Sequence, residues 1–100
     1  MSLNTNRFYS AFNVLKWYVE EKQHCTIVNY TVRQRYNHCV IWVAQNENNI
    51  THFVCDKLSP TQFVIRWYGG DELEYEQLGS TSYDFIDVNT PPDVVTINTD

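Results

Sequence analysis

The stretch from Thr26 to Gln45, TIVNYTVRQRYNHCVIWVAQ, decides the fold, because its apolar residues recur at alternate positions. Side chains of a β-strand point alternately to the two faces of a sheet, so this spacing is typical of strands. Asn37 interrupts the pattern and predicts a tight turn. The sequence therefore predicts two antiparallel strands, Thr26–Tyr36 and His38–Gln45. In the first strand one face carries Val28, Tyr30, Val32 and Tyr36, and the other carries Ile27, Asn29, Thr31, Arg33 and Arg35.

The strand pattern continues toward the C-terminus. The second predicted strand is apolar on both faces, which predicts an interior position in the sheet. Two further strands follow at Ile50–Cys55 and Gln62–Tyr68. Glu72–Leu78 alternates acidic with apolar residues and predicts an edge strand with its charges outward. The remaining predicted features are a loop at Gly79–Ser82, a short element at Tyr83–Val88 and a last strand near Val94–Ile97.

The N-terminal region has the spacing of a helix. Phe8, Phe12, Leu15 and Val19 lie at i, i+4, i+7 and i+11 and therefore share one side of a helix. The predicted helix runs from about Asn6 to Gln23, with Asn4, Thr5 or Asn6 as the N-cap. Trp17 lies beside the polar side and is expected to be partly exposed.

Together these patterns predict an α+β fold, in which one N-terminal amphipathic helix packs on an antiparallel meander of four to six strands. The chain has 100 residues and fifteen aromatic side chains, which suits a single core and excludes extensive disorder. The predicted domain covers residues 1–90, with residues 91–100 as an extension that is either a short edge strand or disordered. No apolar run is long enough for a membrane span, and no signal peptide is recognisable, so we expect a cytoplasmic protein without membrane contact.

The charges are unevenly distributed along the chain. The net charge is −5, and the eight acidic residues from position 71 onward are accompanied by no basic residue. Positions 1–40 carry five basic and two acidic residues, a net charge of +3. This distribution disfavours a polyanionic partner and favours docking of the acidic segment on a basic surface.

Histidine and cysteine recur at a spacing of 14 residues, as His24-Cys25, His38-Cys39 and His52 with Cys55. Zinc requires such side chains to converge on a tetrahedral site. In a hairpin closed by residues 46–49, Cys39 lies opposite Cys55 or Asp56 and His52 lies opposite Val43, so only two of the six side chains converge. The sequence thus predicts no metal and no cofactor.

No catalytic motif is present, and we expect a non-enzymatic protein. The abundance of Tyr and Trp, together with the acidic C-terminal region, predicts a protein-binding domain that blocks a basic surface of a larger partner. Phage and viral anti-defence proteins and toxin immunity proteins share this size and acidic character. The residues expected to contact the partner are Asp71, Glu72, Glu74, Tyr75, Glu76, Tyr83, Asp84 and Asp87.

Two alternatives remain open at this point. The first is a sheet that binds single-stranded nucleic acid through Arg33, Arg35, Trp17 and Tyr36, which combine positive charge with aromatic rings. The net negative charge makes this alternative the weaker one. The second is a self-associating structural subunit, such as a homodimer, that pairs through an edge strand or through the Trp17 side of the helix.

Overall fold

The computed structural model describes residues 8, 10–44, 50–70, 74–85 and 96–98. In these residues, one helical segment packs on one face of a six-stranded antiparallel sheet with strand order β1-β2-β3-β4-β5-β6. The strands are β1 (Ile27–Arg33), β2 (His38–Val43), β3 (Ile50–Lys57), β4 (Gln62–Gly69), β5 (Glu76–Asp84) and β6 (Thr96–Asn98). The predicted α+β meander is confirmed, and β2 lies inside the sheet as its two apolar faces indicated.

The helix is shorter than predicted within the described residues. Helix α1 spans Ala11–Trp17, and the Ser10 side chain caps it by accepting a hydrogen bond from the Asn13 backbone N–H at 3.2 Å. A π-helical turn, Tyr18–Lys22, follows directly. The predicted caps at positions 4–6 lie outside the described residues. The apolar stripe is confirmed, with Phe8, Ala11, Val14, Leu15, Tyr18 and Val19 buried.

The prediction that Trp17 is partly exposed is wrong. Its side chain is 7% exposed, and its ring packs edge-on against Phe8 and Tyr83, each at a centroid distance of 5.8 Å. Trp17 follows Val14 by three residues and therefore lies on the same side of the helix. The apolar stripe is thus wider than the sequence pattern indicated, and it reaches as far as β5.

Strand β1 differs from its prediction at both ends. It ends at Arg33, and the chain turns through residues 34–37, so Arg35 and Tyr36 belong to the turn. A β-bulge between Ile27 and Asn29 shifts the pairing with β2. A bulge adds one residue to a strand and so reverses the alternation beyond it. As a result Ile27 packs against the core on the same side as Val32, whereas Val28 is 65% exposed.

Strand β5 replaces three predicted segments with one. It runs from Glu76 to Asp84 between β4 and β6, so the predicted edge position and the predicted loop at Gly79–Ser82 are both wrong. Gly79 lies opposite Trp67, and a Cβ at this position would lie 2.6 Å from Trp67 Cζ2. The glycine is therefore needed to admit the indole ring and does not mark a turn.

The two faces of the sheet have different environments. The inner face packs on the helix and buries Cys39, Ile41, Val43, Phe53, Cys55, Phe63, Ile65, Thr81 and Tyr83. Residues that alternate with these point away from the helix. They form the outer face, which no helix of the described residues covers. Within those residues no helix is long and apolar enough to cross a membrane.

Candidate functional site

The outer face is arranged in rows that cross neighbouring strands. The register pairs Trp42 with His52 and His52 with Tyr68, which gives an aromatic row across β2, β3 and β4. The next row contains Val40, Val54 and Arg66, and the third contains His38, Asp56 and Val64. Side chains directly opposite each other on one face are close enough to pack. The outer face therefore has an aromatic end and a charged end, with valines between them.

The aromatic end is built around His52. Its ring stacks on Tyr68 at 5.0 Å with an interplanar angle of 9°, and Trp42 packs beside it at 6.0 Å. Tyr75, which precedes β5, meets the same ring edge-on at 4.6 Å and is 42% exposed. We refer to Trp42, His52, Tyr68 and Tyr75 as the aromatic cluster. Each of these rings combines an apolar body with a polar atom, which is a composition typical of binding surfaces.

The chemistry of His52 is that of a neutral ring. Burial lowers the pKa of His52 below its usual value of 6.5. Its Nδ1 atom is buried and has no hydrogen-bond partner among the described residues. An uncharged imidazole that stacks on a tyrosine contributes mainly packing to the surface.

The charged end is held by a single carboxylate. Asp56 Oδ1 lies 2.6 Å from His38 Nδ1, and Asp56 Oδ2 accepts a hydrogen bond from Arg66 Nη1 at 3.4 Å. These three side chains come from β2, β3 and β4 and tie the strands together across the outer face. Their side chains are between 24% and 37% exposed, so this network is only partly shielded from solvent.

The acidic residues predicted to contact a partner are not brought to one place. Glu74 and Glu76 are exposed on either side of Tyr75 in the chain, and Tyr75 contacts His52 of the aromatic cluster. Asp84 lies at the opposite end of β5, opposite Gln62. Asp84 lies eight positions along the strand from Glu76, which corresponds to about 26 Å. Tyr83 is buried in the core, so its side chain faces the helix and not a partner. The positions 71, 72 and 87 lie outside the described residues.

The residues of the nucleic-acid alternative are also divided. Arg33, Arg35 and Tyr36 are exposed together at the β1–β2 turn, whereas Trp17 is buried. Within the turn, Gln34, Arg35 and Tyr36 have φ angles of 55°, 57° and 71°. Consecutive left-handed residues other than glycine are strained, and such strain often accompanies function. The Tyr36 carbonyl accepts a hydrogen bond from the Ala11 N–H at 2.8 Å, which ties the turn to the start of α1.

Of the two partners predicted for Cys39, the structure shows Cys55 and not Asp56. Both thiols are free and buried on the inner face, away from His38 and His52 on the outer face. Burial raises the pKa of Cys39 to about 12 and raises that of Cys55 well above 9. These thiols are therefore packing groups and not nucleophiles. In the part of the chain that is described, no group of three or more His, Cys, Asp or Glu side chains is placed to hold a metal ion.

Sequence reasoning missed the aromatic cluster because of one residue in the hairpin register. His52 lies opposite Trp42 and not opposite Val43 as predicted. A shift of one residue exchanges the two faces of a strand. Had the observed register been predicted, Trp42 and His52 would have been expected side by side on the outer face. The remaining signal was the presence of the apolar residues Val40 and Trp42 on the outer face, which no helix of the described residues covers.

No protein-family model, curated protein or solved structure matches this chain.

Proposed function

We propose that this chain is a non-enzymatic protein-binding domain, which binds a basic surface of a larger partner through the aromatic cluster and the acidic residues beside it. The observation that carries the proposal is the contact of Tyr75 with His52 at 4.6 Å. Tyr75 is flanked in the chain by Glu74 and Glu76, which are both exposed. Because Glu76 pairs with Gly69, its side chain leaves the sheet on the helix side, so the carboxylates form a rim at the edge of the aromatic cluster and not part of its face.

Each part of this surface has a distinct role in the proposed binding. The half-exposed rings supply apolar area that loses contact with water when a partner docks, and Tyr and Trp are the residues most often found at energetic hot spots. The carboxylates at the edge attract Lys or Arg side chains of the partner and fix its orientation. Because the rim charges remain near water, they contribute more to the association rate and to specificity than to the total affinity.

The proposed activity is inhibitory or accessory. A small acidic domain of this kind would occupy a basic surface, such as one that otherwise binds nucleic acid, in the way that anti-defence and immunity proteins block their targets. The odd number of cysteines supports a reducing compartment, so we place this activity in the cytoplasm.

The test is a quantitative pull-down with the tagged protein from lysate of its own source, read by mass spectrometry. The variant Glu74→Lys/Glu76→Lys reverses the rim charge, and Glu20→Lys/Glu21→Lys is the matched control on the exposed side of the helical segment. We expect a partner that the wild type and the control recover equally and that the rim variant loses by roughly tenfold or more, since like charges across an interface cost several kcal/mol. Equal recovery by all three proteins would contradict the proposed site.

A second candidate function is supported by the exposed group of Arg33, Arg35 and Tyr36 at the strained turn. Two cations and one ring suit a short contact with single-stranded nucleic acid. Nuclease treatment of the same lysate separates the two candidates. If the recovered partners disappear after nuclease treatment and are also absent with Arg33→Ala/Arg35→Ala, nucleic-acid binding is the better explanation than a protein partner.

A further inference from the structure

We propose that β1 pairs with β1 of a second copy of this chain, so that two sheets join across a two-fold axis centred on Thr31. Strand β1 is the first strand of the sheet, and its outer edge is not paired within the described residues. Unpaired edges of this kind are templates for a further strand. The proposal concerns the protein by itself and does not rest on the proposed partner surface.

The backbone of β1 shows which groups point outward. The Tyr30 N–H donates to Asn29 Oδ1 at 2.8 Å and so points away from β2. Backbone groups of a strand alternate in direction, so Tyr30 and Val32 present their N–H and C=O to the open edge, whereas Thr31 pairs with Val40 of β2. In the monomer, the Asn29 side chain thus accepts the Tyr30 N–H hydrogen bond, which a backbone carbonyl of a second strand would otherwise accept.

A two-fold axis at Thr31 fits these outward groups. Tyr30 then lies opposite Val32 of the second copy, and this pair exchanges both of its backbone hydrogen bonds. Thr31 lies opposite its own copy, and Asn29 lies opposite Arg33 of the second copy, where the freed amide oxygen accepts from the guanidinium. The pairing uses residues 29–33 and therefore avoids the bulge between Ile27 and Asn29.

The side chains favour a second copy as the occupant. Tyr30 is 54% exposed and packs on Phe12 at 4.9 Å, so its ring offers apolar area on the helix side of the edge. Pairing places this ring against Val32 of the second copy, an aromatic and β-branched pair of the kind that stabilises sheets. The chain carries a net charge of −5, but residues 27–32 carry no charge at all. Two acidic molecules can therefore approach each other along this strand without direct repulsion.

Sedimentation velocity over micromolar to millimolar concentration tests the pairing. We expect the wild type to show a concentration-dependent dimer. In Thr31→Lys, two lysines face each other across the axis, and we expect the dimer dissociation constant to rise by roughly tenfold or more, since like charges directly opposite destabilise strand pairs. Asn13→Lys, an exposed change on the helix, is the control and should behave as the wild type.

A cysteine at the axis tests the register. In a Cys25→Ser background, Thr31→Cys places two thiols at a Cα separation of about 4.5 Å, within the range that a disulfide spans. Oxidised glutathione takes up the two hydrogens as the S–S bond forms. We expect a covalent dimer from Thr31→Cys and none from Thr26→Cys, which lies outside the pairing. A wild type that remains monomeric at every concentration overturns the proposal, even if a strand of another protein covers β1. Equal cross-linking rates for Thr31→Cys and Thr26→Cys also overturn it. So does a Thr31→Lys protein that dimerises as tightly as the wild type.

Discussion

His52 shows at the level of one residue how the outer face is specialised. A histidine on a solvated sheet face ordinarily keeps both ring nitrogens hydrated. Here the ring is enclosed by Trp42, Tyr68 and Tyr75, and its Nδ1 is buried without a partner among the described residues. Burying a polar atom in this way costs stability, and burying a charged ring would cost more. The enclosure therefore makes the aromatic cluster sensitive to protonation.

The stability of the fold should decrease in mildly acidic solution because of this residue. The folded-state pKa of His52 lies below its ordinary value of 6.5, so the unfolded chain binds more protons as the pH falls through 6.5. The contribution of the neutral ring to stability is fully present above that pH and is lost progressively below it. His52→Phe retains a stacking ring that does not titrate. Urea unfolding at about pH 7.5 and about pH 5.5 should show a smaller loss for this variant than for the wild type.

Comparing the wild type with His52→Phe isolates the effect of protonating His52, because all other titrating groups are common to both proteins. Equal losses of unfolding free energy in the two proteins would show that the enclosure of His52 does not disfavour its protonated form.

Among the connecting elements, the β1–β2 turn is the most strained part of the described backbone. Three successive residues, none of them glycine, adopt the left-handed conformation there. Only glycine reaches this region without a steric cost. The hydrogen bond from Ala11 to the Tyr36 carbonyl and the closure of the β1–β2 hairpin hold the turn in place.

Glycine at position 35, where the side chain is exposed, should therefore relieve the backbone strain of the turn. We expect Arg35→Gly to raise the free energy of unfolding by about 0.5–1 kcal/mol, because removal of the left-handed strain exceeds the entropy that glycine adds to the unfolded chain. Arg33→Gly removes the same charge from regular strand and should lower stability by about 0.5–1 kcal/mol. Thermal unfolding of both variants checks the signs. A loss of stability in Arg35→Gly equal to that in Arg33→Gly would show that the turn is not strained.

Bulges mark the limit of what the sequence pattern predicts about these elements. The helix stripe, β2 and β4 follow regular spacing, and the sequence predicted each of them, whereas the predicted strand β3 carries a register shift between Ile50 and His52. The bulges between Ile27 and Asn29 and between Trp67 and Tyr68 insert a residue that no periodicity reveals, and the second one lies where β5 had been predicted as separate segments. The aromatic cluster depends on the pairing of three strands, so it could be recognised only after the register was known. The acidic residues could be selected from the sequence because charge is visible without a register, but their positions on the sheet could not be predicted in the same way.

For the whole molecule, the meander leaves two edges with very different properties. Strand β1 has seven residues, whereas β6 has three and covers β5 through the pairs of Thr81 with Asn98, Ser82 with Ile97 and Tyr83 with Thr96. Short edge strands are poor templates for further pairing. If β1 joins two copies about a two-fold axis, β6 is the element that keeps the assembly closed at both outer ends.

Loss of β6 pairing should therefore convert a dimer into an open-ended assembly. Proline at position 97 cannot donate a backbone hydrogen bond, so Ile97→Pro should free the edge of β5, whose residues Leu78–Tyr83 carry no charge. Each subunit then offers two usable edges, and alternating β1–β1 and β5–β5 contacts extend without limit. Light scattering should show species larger than a dimer that grow with concentration, while circular dichroism retains the wild-type spectrum. Adding Thr31→Lys blocks one edge and should return the variant to dimers at most. An Ile97→Pro protein with the mass distribution of the wild type would show that β6 does not protect the sheet.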